Sequence, residues 1–424
     1  MQIECIVFFV MLGVFLLGNF LLKLPVSLSM VAGAVAGTLA AGDGIPLRHL
    51  FEGTFVYLDT VLIIATAMIF MTVVQEAGTL DALAEVIVSR FYKVPAVMLV
   101  LLMIIVMFPG MVTGSSTASV LSAGAIVAPI LLLMGLPAPT AGAFLAIGAV
   151  LGMAAPPVNI PAMLITGGVD MPYIGFEGPL FTLTIGSGVI AALFLGLRHC
   201  KNLDYRVIGR ELDHETGKKY GLKLYLPLVL LIGLMLACRL FPNVVPTLGM
   251  PLIFLISAAV GCFTGRRFPI AASIREAMRT TVPVLGKLMG VGMFIQVMTL
   301  TGVRGFIVDS CLGLPAALLY LAICTVMPAF GAVSSYGSAS VLGVPFMLAL
   351  LSTGNQTVIA ASLAFIVCMG DLMPPTALAG NYAAQIVKER YSKVLPQCAV
   401  PVMVCILMGL AFLLNSGSLG FLVP

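Results

Sequence analysis

One polar, glycine-punctuated signature occurs twice in this chain, each time inside an apolar segment. Met-Phe-Pro-Gly-Met-Val-Thr-Gly-Ser-Ser-Thr-Ala-Ser-Val-Leu, Met107 to Leu121, returns as Met-Pro-Ala-Phe-Gly-Ala-Val-Ser-Ser-Tyr-Gly-Ser-Ala-Ser-Val-Leu, Met327 to Leu342. A diproline follows each copy, at Pro156-Pro157 and Pro374-Pro375, with Asn159 after the first and Asn381 after the second. Helix-breaking elements repeated in matching order in two halves of an apolar chain are the pattern of secondary transporters built from structural repeats.

Composition places those breaks in a membrane. Hydrophobic residues make up 61% of the 424, charged residues only 9%, and the mean hydropathy is +1.16. A soluble domain needs roughly 25% charged residues to cover its surface, so the chain is read as an all-α polytopic membrane protein. The net charge of +4 is small, fits a few basic cytoplasmic loops and implies no nucleic-acid partner. The nine cysteines are scattered singly without metal-ligand spacing and read as apolar fillers. The apolar run Ile6 to Leu22 lacks a basic leader and a cleavage site and reads as a retained span.

Apolar runs predict ten spans, near 5–22, 26–42, 60–77, 140–167, 180–197, 224–241, 248–265, 283–300, 354–386 and 396–414. Two more stretches, 96–134 and 316–351, are interrupted at their middles by Gly, Ser and Thr, and are expected to be re-entrant hairpins. Positive charge orients the whole. Arg198, Lys201, Arg206, Arg210, Lys218, Lys219 and Lys223 put the longest polar segment in the cytoplasm, and the loop one span earlier, with Asp170 and Glu177 but no Lys or Arg, falls outside. Two spans later Arg266, Arg267, Arg275 and Arg279 return to the cytoplasm. A full crossing by 316–351 with one further helix would serve the same parity. On the hairpin reading the halves have opposite orientation, so the repeat is inverted: 1–200, a cytoplasmic linker at 201–223, and 224–424. Pairs such as Ile45-Pro46 with Phe268-Pro269, and Gly78 with Gly302, extend the match. The segments 45–58 and 268–281 are too short and polar to span, and read as interfacial helices.

Broken backbone at membrane depth is tolerated only where protein buries it or water reaches it. Gly114 and the hydroxyls of Ser115, Ser116, Thr117 and Ser119 form one such stretch; Ser335, Gly337, Ser338 and Ser340 form the other. Freed carbonyls and hydroxyls are hard oxygen ligands that suit Na⁺, and helix N-termini at a break suit an anion. Around the diprolines, Pro157 and Asn159 in the first half and Asp371, Pro375, Thr376 and Asn381 in the second complete two expected ion sites flanking one substrate site. Within this set Thr117, Ser119, Ser335, Ser340 and Asn381 are assigned to substrate and the others to cation. Asp371, an acidic residue inside a span, reads as a cation ligand, a protonatable carboxylate or a helix-terminal residue. Lys287 reads as snorkelling to the interface or as touching substrate. No Walker loop, nucleophile triad or metal cluster is present in the sequence, so the chain is read as no enzyme and its transport as ion-driven, with no cofactor beyond Na⁺ as coupling ion.

The pattern resembles the large membrane subunit of tripartite ATP-independent periplasmic (TRAP) transporters, in the superfamily that also holds divalent-anion/sodium symporters. Gly114 to Ala118 (Gly-Ser-Ser-Thr-Ala), Ala155 to Pro157 (Ala-Pro-Pro) and Met373 to Ala377 (Met-Pro-Pro-Thr-Ala) carry the resemblance. It implies an elevator-type fold of the bacterial inner membrane, Na⁺-coupled uptake of a small organic anion such as a C4-dicarboxylate, a small four-helix membrane subunit and a periplasmic substrate-binding protein. It places Gly114, Ser115, Ser116 and Pro157 in a first ion site, and Pro374, Pro375 and Thr376 in a second. The second tip, Ser334 to Ser340, departs from the family pattern by lacking an acidic residue and prolines. A stand-alone divalent-anion symporter or a proton-coupled antiporter of the superfamily therefore stays open.

Overall fold

The computed structural model describes residues 3–200, 214–241 and 248–423. Lys201, Arg206 and Arg210 of the expected linker lie outside the described residues. The described elements are all helical. Eight helices are long and apolar enough to cross a membrane, among them Ile3–Phe20, Leu58–Glu76, Glu177–Gly196 and Tyr391–Leu414, and shorter apolar helices accompany them. The protein is an all-α polytopic membrane protein.

Proline and glycine set the boundaries where the sequence says they should. Pro25, Pro137 and Pro315 immediately precede helices Val26–Ala41, Ala138–Ala154 and Ala316–Gly331, since proline's fixed φ suits a helix entry and its missing N–H costs nothing there. The aligned Gly78 and Gly302 both take left-handed φ, 82° and 75°, at a junction between two helices. The helices that follow them, Thr79–Phe91 and Val303–Leu312, were not marked by any apolar run, because each is short and amphipathic.

Both interrupted stretches break near their middles. Pro95–Thr113 ends at Gly114, whose left-handed φ of 65° turns the chain, and Ser115 caps the next helix by accepting a hydrogen bond from the Ala118 N–H. In the second stretch Ala316–Gly331 ends through Ala332, and Ser334 caps the following helix by accepting from the Gly337 N–H. The caps pair Ser115 with Ser334 and Ser119 with Ser338, so the shared Ala-Ser-Val-Leu string of the two sequence copies sits two residues out of structural step. Each second arm then widens into a π segment, Val120–Gly124 and Ala339–Gly343.

The diproline helices also break. Ala138–Ala154 stops at an extended Ala155 and resumes as Ile160–Gly168; Gln356–Cys368 runs through a short 3₁₀ turn, stops at Met373 and resumes as Leu378–Ile386. Both diprolines are cis. Every residue from Thr140 to Ala154 and from Thr357 to Cys368 is buried. These two helices therefore form the centre of the molecule, where protein shields their broken backbone from lipid.

Packed around this centre, Pro95–Thr113 and Glu177–Gly196 lie against Ala138–Ala154, and Tyr391–Leu414 against Gln356–Cys368. A second group gathers on the 31-residue helix Ile270–Leu300, which touches Val26–Ala41, Leu47–Phe55 and Leu58–Glu76. Here the structure differs from expectation. Segment 45–58 forms its own short helix, Leu47–Phe55, whereas 268–281 continues without interruption into the following span. Pro283 lies inside this helix and does not end it.

Candidate functional site

All four breaks meet. The Val158 N–H, just past the first diproline, donates to the Met111 carbonyl at 3.1 Å; Thr376, just past the second, donates to the Ala332 carbonyl through its N–H at 3.4 Å and its hydroxyl at 2.5 Å. Each hairpin tip is thus bonded to the broken helix of its own half. The tips are also bonded to each other, because the Tyr336 hydroxyl donates to the Gly114 carbonyl at 3.2 Å.

Glycines permit the approach. A Cβ on Gly110 would stand 2.8 Å from the Gly152 carbonyl carbon, and one on Gly370 would stand 2.8 Å from the Gly331 Cα. Gly152 and Gly370 each precede the first proline of their diproline by four positions. The same backbone-to-backbone contact therefore joins hairpin to broken helix twice, by the small-residue packing that membrane helices use.

Asp371 sits where these elements converge. The Ser116 hydroxyl donates to its Oδ2 at 2.5 Å and the Ser335 hydroxyl to its Oδ1 at 3.5 Å. Both serines are the first residues of the helices that start at the tips, so a carboxylate faces two helix N-termini, where the peptide dipoles favour negative charge. Each carboxylate oxygen has about two lone pairs, so acceptor capacity remains for a cation. One residue past Thr376, Ala377 holds a left-handed φ of 38°, a conformation that costs a non-glycine residue on the order of 1 kcal/mol or more.

A cavity of about 560 Å³ opens beside Asp371, a size suited to a small organic molecule. Ser115, Ser116, Thr117, Ser335, Asp371 and Thr376 line it, together with Tyr336, Tyr382 and Lys287. Glu76 and Gln75 at the end of Leu58–Glu76, and Glu276 and Thr280 on Ile270–Leu300, line it too. Lys287 comes from the long helix of the second group, so the cavity lies between that group and the hairpins. From the sequence Lys287 reads first as a residue snorkelling to the interface and second as a substrate contact; packing brings it to the cavity that Asp371 lines.

Other singled-out residues do not line this cavity. Asn159 caps Ile160–Gly168 by accepting from the Ala162 N–H and donates to the Ala154 carbonyl at 2.7 Å; Asn381 donates to the Thr376 carbonyl at 3.0 Å. The two asparagines each bond a carbonyl five residues back, yet the first stands at a helix start and the second within a helix. Ser338 donates to the Met327 carbonyl at 2.8 Å, and Ser119 is buried with no hydrogen bond for its hydroxyl among the described residues. Ser340 is buried, Gly337 abuts Met30, and Gly114 abuts Ile160. Pro157 and Pro375 form the cis bonds themselves. The Leu372 carbonyl accepts from the Tyr391 hydroxyl. The carbonyls at Met111, Gly114, Ala154, Ala332, Leu372 and Thr376 thus all accept hydrogen bonds from the protein, and the carboxylate that both hairpin tips bond is that of Asp371.

Paired interrupted hairpins and paired broken helices around a charged cavity define a helical membrane transporter of the secondary type. The chain belongs to the family described as the tripartite ATP-independent periplasmic transporter, DctM component, whose model matches residues 6–415. No curated protein matches the chain. Its fold is similar to that of the Alcanivorax borkumensis YdaH transporter, with a TM-score of 0.60 at 17% identity over 89% of this chain and 90% of that one. Neisseria gonorrhoeae MtrF, described as illuminating a class of antimetabolite efflux pumps, is similar at a TM-score of 0.58 and 15% identity, over 86% and 83%.

Proposed function

We propose that this chain is the carrier subunit of a Na⁺-coupled importer of a small organic anion, a C4-dicarboxylate or related carboxylate, in the bacterial inner membrane. The observation that carries the reading is the Asp371 carboxylate, held by one serine from each hairpin tip on the wall of a cavity that Lys287 also lines. In this reading Na⁺ binds Asp371 and the Ser116 and Ser335 hydroxyls, and ties the two tips together. The substrate carboxylate is taken by Lys287 and by the N–H groups and hydroxyls at Ser115, Thr117 and Ser335. Because the cation neutralises Asp371 before the anion enters, Na⁺ raises substrate affinity.

The hairpins and broken helices, bonded to one another, move as one block against the group on Ile270–Leu300, which is the elevator motion. Glu76 and Glu276 line the cavity, the Arg266 N–H donates to the Ala77 carbonyl next to Glu76, and Arg279 pairs with Glu276; in this reading that positively charged end faces the cytoplasm and the conformation is inward-open. Family membership supports a small membrane subunit and a periplasmic binding protein as partners.

Uptake by the purified protein with those partners in proteoliposomes, measured under Na⁺ and K⁺ gradients, tests the reading. Accumulation that needs inward Na⁺ supports it; uptake indifferent to Na⁺ overturns it. A second reading, proton coupling through Asp371, is favoured by the same lone carboxylate at the tip junction. Asp371→Asn separates the two, because loss of Na⁺ dependence marks a cation ligand and loss of pH dependence marks a proton carrier.

A further inference from the structure

At the end of the molecule where basic residues gather, a second hollow of about 660 Å³, sharing no lining residue with the carrier cavity, is lined by Thr216, Lys219, Tyr220, Arg266 and Arg267. It lies where Thr79–Phe91, His214–Tyr220 and the turn leading into Ile270–Leu300 come together, and the Arg266 N–H donates to the Ala77 carbonyl at 3.1 Å. Arg266 is fixed in place, with Nε donating to the Thr216 hydroxyl at 2.8 Å and a terminal nitrogen 3.3 Å from the Asp81 carboxylate. Lys219 and Arg267 are exposed, and among the described residues neither pairs with a carboxylate. The Lys219 ammonium stands 5.3 Å from the centre of the Tyr220 ring, an arrangement that holds the side chain by cation–π attraction. The walls are therefore cationic, and one cation is rigidly oriented.

Two bare apolar side chains stand close in the chain to the hollow's lining residues. Leu222, two residues after Tyr220, and Phe263, three before Arg266, are 88% and 87% exposed, more than any other large apolar side chain among the described residues. A site for a free soluble anion needs no such flank. A phosphate attached to acyl chains does, because the chains have to lie beside the protein in the bilayer edge.

We propose that this hollow binds the headgroup of an anionic phospholipid of the cytoplasmic leaflet, with Lys219, Arg266 and Arg267 on the phosphate and the acyl chains against Leu222 and Phe263. Basic pockets at the cytoplasmic face take such headgroups, and each juxtamembrane Lys or Arg contributes about 1 kcal/mol. Removing two should weaken binding roughly 30-fold.

The full chain in neutral detergent is titrated separately with cardiolipin, phosphatidylglycerol, phosphatidylcholine and inorganic phosphate, while the melting temperature and the lipid adducts seen by native mass spectrometry are followed. The two anionic lipids are expected to form adducts and raise the melting temperature; phosphatidylcholine and inorganic phosphate are expected to do neither at equal concentration. Lys219→Gln with Arg267→Gln should lose the effect roughly 30-fold in lipid concentration, whereas the charge-keeping Lys219→Arg with Arg267→Lys should retain it. Equal protection by phosphatidylcholine, protection by inorganic phosphate alone, or undiminished binding by the neutralised variant would each overturn the proposal.

Discussion

Ser116 and Ser335 hold one carboxylate from two sides, so each can be removed singly without leaving Asp371 bare. A hydrogen bond to a charged group contributes about 1.5–3 kcal/mol. Ser116→Ala, which deletes the 2.5 Å contact, should therefore raise the half-saturating Na⁺ concentration of uptake by about tenfold or more, and Ser335→Ala, at 3.5 Å, should raise it less. Lys287→Gln should act on the other ligand. Its expected effect is a tenfold or larger rise in substrate KM with little change in the Na⁺ requirement, read from uptake at saturating Na⁺. Equal loss of both affinities would place Lys287 with the cation site instead.

Among the elements, the paired contacts of Gly110 with Gly152 and of Gly331 with Gly370 tolerate little added volume. A Cβ on Gly152 would sit 2.8 Å from the Met107 Cα, and both partners are backbone, so neither can yield by a side-chain rotation. Gly152→Ala should cost about 1–3 kcal/mol through overpacking, seen as a lower melting temperature. Gly13→Ala, with open space around it, should melt unchanged. The breaks themselves were legible, because Gly114, the serine caps and the diprolines each carry a local backbone rule. The register of the second hairpin was not. Matching the Ala-Ser-Val-Leu strings pairs Ser119 with Ser340, whereas the caps pair it with Ser338, because hydrogen-bond geometry at Ser115 and Ser334 outweighs letter identity. The fusion of 268–281 to its span was hidden for a related reason: polarity argued for a break that Pro283 alone does not make.

For the molecule as a whole, the position of the cavity mouth makes a sided prediction. Gln75→Cys or Thr72→Cys should react with a membrane-impermeant maleimide in inside-out vesicles and stay unlabelled in right-side-out vesicles, with labelling slowed by saturating substrate. Native cysteines give the background against which this labelling is read. Labelling from the outer face would reverse the assigned orientation.

The sequence by itself determined that the chain is a helical membrane protein, where its helices break, and which short polar strings stand at the breaks. Those properties follow from apolar run length, from proline's missing donor and from glycine's access to left-handed φ, all of which act within a few residues. Only the tertiary structure decided which of the candidate oxygens face a common space. Asp371 lies 255 positions from Ser116 and 36 from Ser335, and Lys287 reaches the cavity from a different packed group. Their meeting depends on how close the helices stand, which is set by backbone contacts at Gly152 and Gly370 that no local rule encodes.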